Sequence, residues 1–221
     1  MFNKIKNEFI YLSTLRRILS SLKLINNDEK AIITKKIAGF AETNPQSIAI
    51  YYEDREVSYK DLMEGANRYS HWFLKNNLKK GDVIALLMEN RPEFLMAWIG
   101  VAQIGGTTAL INTNLTEHPL NHSLSISGAK DLILGSELIN NFNTTNDSIK
   151  DGFQVWVEGE SNDSKHKKIN NVLEDLPTSF PNIDYDVVNQ DVALYIYTSG
   201  TTGDPKAATI THKRIRMMLL G

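Results

Sequence analysis

The chain predicts an α/β fold built on a doubly wound, mostly parallel sheet flanked by helices, and three observations carry that reading. Short apolar runs of strand length alternate with segments whose apolar residues recur every three or four positions. Residues 83–88, Val-Ile-Ala-Leu-Leu-Met, are apolar throughout, the pattern of a parallel strand covered on both faces. The joints are short and glycine-bearing, at Gly81, Gly105-Gly106 and Gly128, which suits right-handed βαβ crossovers.

The elements follow in order. Ile32 to Glu42 has helical spacing and is closed by Asn44-Pro45. Residues 48–52 read as a strand, Glu53-Asp54-Arg55 turn the chain, and Val57-Ser58-Tyr59 return, so a hairpin is expected. Leu62, Ala66, Tyr69, Phe73 and Leu74 mark the next helix, which ends before Gly81-Asp82. After the strand at 83–88, Asn90 is the expected N-cap of a helix with Pro92 and Glu93 in its first turn, Glu93 reaching back to the cap. That helix runs through Phe94, Trp98, Val101 and Ala102 to Gly105-Gly106. Residues 107–111 are the next strand, 117–127 a helix on Leu120 and Leu124 stopped by Gly128, and 131–134 a strand. Residues 139–171 are polar and read as surface loop around one strand at 153–157. Met217 to Leu220 are apolar and are assigned to a helix core.

The first 25 residues differ from the rest. Lys4, Lys6, Arg16, Arg17 and Lys23 oppose Glu8 alone, while Ile5, Phe9, Leu12, Leu15, Leu19 and Leu22 recur at helical spacing. Residues 1–28 therefore read as a basic amphipathic helix. It serves either as a peripheral membrane anchor on anionic lipid or as a terminal helix packed on the body. Arg16-Arg17 interrupts any signal-peptide core. Residues 29–221 form the second unit.

Composition narrows the chemistry. A formal net charge of −2 gives no electrostatic case for nucleic acid, and Lys165 to Lys168 is too short a basic run to make one. The absence of cysteine excludes disulfides, thiolate metal sites and cysteine nucleophiles. No apolar run approaches the ~18 residues of a membrane-spanning helix. His118 and His122 share i, i+4 spacing without a third ligand or an HExxH arrangement, so both are read as surface residues and no metal site is assigned.

The chemistry concentrates at the end of the last apolar run. Residues 192–197 lead into Thr198-Ser199-Gly200-Thr201-Thr202-Gly203, with four hydroxyls and two glycines in six residues. Glycines let successive backbone N–H groups turn toward one anion, and hydroxyls add donors for phosphate oxygens. Asp204-Pro205 stiffens the exit and Lys206 adds a compact positive charge. The inventory suits a polyphosphate. Gly200 and Lys206 have the separation of a GxxxxGK[ST] loop, but Pro205 stands in place of its second glycine and Ala207 in place of its Ser/Thr. Pro offers no N–H, so that cradle fails.

Tyr197 to Ala207 resembles the phosphate-loop signature of the adenylate-forming superfamily, [YF]-T-S-G-T-T-G-x-P-K-[AG]. The ordered series Met88-Glu-Asn-Arg-Pro-Glu-Phe94, Ala109-Leu-Ile-Asn-Thr-Asn-Leu115, Ser127-Gly-Ala-Lys130 and Gly135-Ser-Glu137 is similar to one branch, the fatty acid transport proteins or very-long-chain acyl-CoA synthetases. The resemblance implies a long-chain or very-long-chain fatty acid–CoA ligase using ATP, Mg2+ and CoA, either free in the cytoplasm or associated with the cytoplasmic face of a membrane. Thr198, Ser199, Gly200, Thr201, Thr202, Gly203 and Lys206 would grip the ATP phosphates, and His212 would have a positioning role nearby. The resemblance also implies a longer chain. Residues 29–221 would be an incomplete adenylation domain, lacking the adenine- and ribose-binding elements, the acidic magnesium residue, the acyl tunnel and the lid with its catalytic lysine. The alternative is a non-catalytic remnant that binds nucleotide or membrane.

Overall fold

Residues 20, 30, 32–162, 164–198 and 205–219 are described by the computed structural model, the side chain of Thr198 excepted. All but Ser20 of the basic amphipathic segment lies outside them. The first described helix, α1 (Ile33–Thr43), precedes a two-stranded antiparallel hairpin, β1 (Ile48–Tyr52) and β2 (Arg55–Ser58). Glu53 carries the turn at φ 50°. Ser58 ends β2 rather than leaving Tyr59 in the strand. Its hydroxyl accepts the Asp61 N–H at 3.1 Å and so starts α2 (Tyr59–Lys75).

The main sheet follows: β3 (Val83–Leu87), β4 (Thr107–Leu110), β5 (Asp131–Gly135), β6 (Gln154–Glu158), β7 (Lys167–Lys168), β8 (Val192–Thr198) and β9 (Lys206–Thr211). Their spatial order is β7-β6-β5-β3-β4-β8-β9. Every neighbouring pair is parallel except β8 and β9. Between them run α3 (Pro92–Gln103), α4 (Glu117–Ile126), α5 (Ile139–Asn143), α6 (Asp147–Gly152) and α7 (Ile169–Leu173); α8 (His212–Met218) follows β9.

Strand alternation divides the core in two. Ile84, Leu86, Met88, Ile133 and Trp156 face Tyr69, Trp72 and Phe73 of α2, Val101 of α3 and Ile169 of α7. Ala85, Leu87, Ala109, Leu132 and Leu134 face Leu120 and Leu124 of α4, with Phe142 and Ile149 below. Both faces are thus covered, which is why these strands read as continuous apolar runs. The expected doubly wound parallel sheet is borne out. Trp72 and Trp156 meet edge to face with centroids 5.5 Å apart, and the Trp156 indole N–H donates to Asp131 Oδ1 at 3.0 Å.

Three local expectations are corrected. Residues 139–171 are not simply loop around a strand. Phe142, Ile149 and Ile169 are each buried, and burying those isolated apolar residues in polar surroundings winds three short helices onto the sheet. Asn90 is not the cap of α3. Arg91 holds that place without a side-chain cap bond, Pro92 supplies the first turn, and Glu93 turns to Arg55 at 2.7 Å. Met217, Met218 and Leu219 are not a helix core, since all three side chains are exposed. No helix among the described residues is long and apolar enough to cross a membrane.

Candidate functional site

The carboxyl ends of β3, β5, β6 and β8 all lie at one edge of the sheet, because the strands are parallel. The helix after β3 packs on one face, and those after β5 pack on the other. The chain therefore diverges between β3 and β5, and such a switch point opens a crevice at the strand ends.

Charged groups from three separate segments meet there. The Arg91 guanidinium pairs with Glu158 and, at 3.3 Å, with Glu137. Glu137 Oε1 accepts the Glu89 N–H at 3.0 Å. Asn170 Nδ2 donates to Glu158 Oε1 at 3.1 Å, while Asn170 Oδ1 accepts the Gly159 N–H at 3.0 Å. Glu158 is 3% exposed. Burial lifts its carboxyl above the usual range, and Arg91 and Asn170 work against that rise. The Met88–Phe94 and Gly135–Glu137 motifs, far apart in the chain, are joined here through Arg91 and Glu137.

The second feature is the β8–β9 hairpin. Its register sets Tyr195 opposite Thr209, Tyr197 opposite Ala207 and Thr198 opposite Lys206. Thr198 is the last residue of β8 and Lys206 the first of β9. Ser199, Gly200, Thr201, Thr202 and Gly203, which join them in the chain, lie outside the described residues. Lys206 is exposed and makes no ion pair among the described residues. Tyr195 and Tyr197 pack toward the core shared with α4. Burial, with Tyr195 beside it, pushes the Tyr197 phenol up to about 12, so it stays neutral near pH 7.

The histidines separate in role. His118 is exposed, as expected. His122 is half-buried instead, and its Nε2 stands 3.2 Å from the Pro205 carbonyl oxygen. Only the i, i+4 spacing hinted at it, and spacing cannot reveal a partner eighty-three positions away. His212 opens α8 and is fully buried, its pKa drawn down to about 4 by desolvation. No group of three His, Asp or Glu side chains among the described residues could hold a metal ion.

An open crevice at the carboxyl edge of a doubly wound sheet, with an unpaired lysine at the root of a glycine-rich connection, defines a nucleotide-binding α/β domain. The chain belongs to the AMP-binding enzyme family, which it matches over residues 37–221. It is similar to long-chain fatty acid transport protein 6 of Homo sapiens, 32% identical over 201 residues that make up 90% of this chain and 32% of that protein. The fold is shared with the anthranilate CoA ligase AuaEII solved with anthranoyl-AMP, at TM-score 0.75 and 21% identity over 83% of this chain and 35% of that one. It is also shared with the inhibitor-bound N-terminal domain of FACL13 from Mycobacterium tuberculosis, at TM-score 0.68 and 27% identity over 82% and 44%. The chain spans about a third of the length of the curated relatives it matches.

Proposed function

We propose that this chain carries the phosphate-gripping part of a long-chain or very-long-chain fatty acid–CoA ligase. The observation that supports it most is the hairpin that sets Thr198 opposite Lys206 at the carboxyl edge of the sheet, in a chain of the AMP-binding family. ATP, fatty acid and CoA are the substrates of this reading. A fatty acid carboxylate oxygen attacks the α-phosphorus of ATP, the bond to pyrophosphate breaks, and an acyl-adenylate forms. The CoA thiol then displaces AMP and leaves the thioester.

The chain's own part is electrostatic. Lys206 and the N–H and hydroxyl donors of residues 198–203 would meet negative charge as it builds on departing pyrophosphate. Fixed donors need no reorganisation at that moment, so they lower the barrier rather than merely tighten binding. Mg2+ would arrive on the triphosphate and neutralise part of its charge. The basic amphipathic segment at residues 1–25 fits association with an anionic membrane surface, where long-chain fatty acids partition.

Calorimetry with MgATP and ATP–pyrophosphate exchange with a long-chain fatty acid test the proposal. Lys206→Ala is expected to weaken MgATP binding about tenfold or more, the range of one lost charge-assisted contact. Equal affinity in the two proteins would remove Lys206 from the site. ATP binding without exchange would assign the chain a binding role rather than a catalytic one.

A further inference from the structure

We infer that His122 is a positioning residue for the phosphate-gripping lysine, acting through the Pro205 carbonyl. The inference rests on the nucleotide reading of the β8–β9 hairpin and adds to it a residue from a different helix.

The geometry has three parts. His122 Nε2 lies 3.2 Å from the Pro205 oxygen, a hydrogen bond in which the ring N–H donates and the carbonyl accepts. Pro205 has no N–H, so its carbonyl is its single backbone hydrogen-bonding group, and that carbonyl shares a rigid peptide plane with the Lys206 nitrogen. Holding the oxygen therefore orients the plane from which Lys206 departs. On its other side Lys206 is tied by pairing across to Thr198. Two restraints from two directions fix the root of a side chain that is itself exposed.

The helix that supplies His122 is a firm base. Leu120 and Leu124 of α4 are buried in the core, and Asn121 Oδ1 accepts the Asn146 N–H at 3.0 Å. Strand alternation also keeps the two residues apart. Ile210 packs with Ala102 and Leu194 on the α3 side of the sheet, and Lys206 lies four residues before it on the same face. Tyr195, Tyr197 and α4 occupy the opposite face. His122 thus reaches the hairpin from behind and leaves the lysine's own face open to a ligand.

Loss of one such bond leaves the Pro205 carbonyl to water and lets the Lys206 root wander. The ammonium then spends less time where phosphate oxygens would sit, and triphosphate affinity falls without the fold being lost. A neutral hydrogen bond of ordinary strength corresponds to about a three- to tenfold effect.

The test compares MgATP dissociation constants and thermal midpoints for the 221-residue chain and its His122→Ala, His122→Gln and Lys206→Ala variants. His122→Ala is expected to bind MgATP about three- to tenfold more weakly with an unchanged midpoint. His122→Gln, whose amide N–H can donate to the same oxygen, is expected to recover most of that loss. If Lys206→Ala weakens binding while His122→Ala does not, the positioning role is overturned and the nucleotide reading stands. A His122→Ala protein that loses affinity and midpoint together, without rescue by glutamine, makes His122 structural and also overturns it. If Lys206→Ala binds as the wild type does, or the wild type binds no MgATP, the nucleotide reading fails and the inference fails with it.

Discussion

Acidification tests the buried histidine. His212 is fully buried at the start of α8, and neither ring nitrogen has a side-chain hydrogen-bond partner among the described residues. Burial draws its pKa down to about 4; the Ala102 carbonyl and Asp191 favour the charged ring, and Lys80 opposes it. In the unfolded chain the ring titrates near the ordinary value of about 6.5. Between those two values the unfolded state binds the extra proton, so stability rises with pH there. His212's contribution is complete above about pH 6.5 and drains away as pH falls toward 4. The full displacement amounts to about 3 kcal/mol, and about 2 kcal/mol of it is gone by pH 5. Urea unfolding of wild type and His212→Leu at pH 7 and pH 5 isolates this share from the carboxylates common to both. The wild type should lose about 2 kcal/mol more than the variant over that interval. Equal losses would refute the reasoning. So would a ring that titrates near 6.5 in the folded protein by NMR, a measurement that needs no variant.

Two further outcomes follow from packing and charge. Arg91→Met leaves Glu158 buried beside Glu137 and Glu93 without its cation, and should cost about 3 kcal/mol by chemical denaturation, the low end for a broken buried pair because Arg91 retains some exposure. Arg91→Met with Glu158→Gln should recover more than half of that loss; a double variant no more stable than the single would refute the account. Gly100→Ala should destabilise by about 1–3 kcal/mol although alanine favours helices, because the new methyl would press on the Ala66 carbonyl oxygen and stand 2.7 Å from Tyr69 Cβ. An unchanged or raised thermal midpoint there would show that α2 and α3 can part without cost.

Much of the fold was legible in the chain. The run at 83–88 announced a strand buried on both faces, and Ala85 and Leu86 do face opposite cores. The spacing of Leu62, Ala66, Tyr69 and Phe73 marked the buried stripe of α2. The three short helices over 139–173 were hidden because each carries only one or two buried apolar residues, too few to set a period. The exposure of Met217 and Met218 was hidden for the converse reason: an apolar residue states a preference for burial, not the presence of a neighbour.

The candidate site divides along the same line. The hydroxyls, glycines and lysine of residues 198–206 supply the donors and charge that a phosphate would need, and the motif order around Arg91 and Glu137 points to the family that the chain matches. Sequence alone thus determined which groups are available and which elements carry them. Tertiary structure decided which of them meet: Arg91 with Glu137 and Glu158, His122 with Pro205, and His212 buried near Ala102 and Asp191. Local pattern records each residue's preference for water or core, whereas those meetings depend on strand order and on which face each helix covers. Only the folded chain sets these.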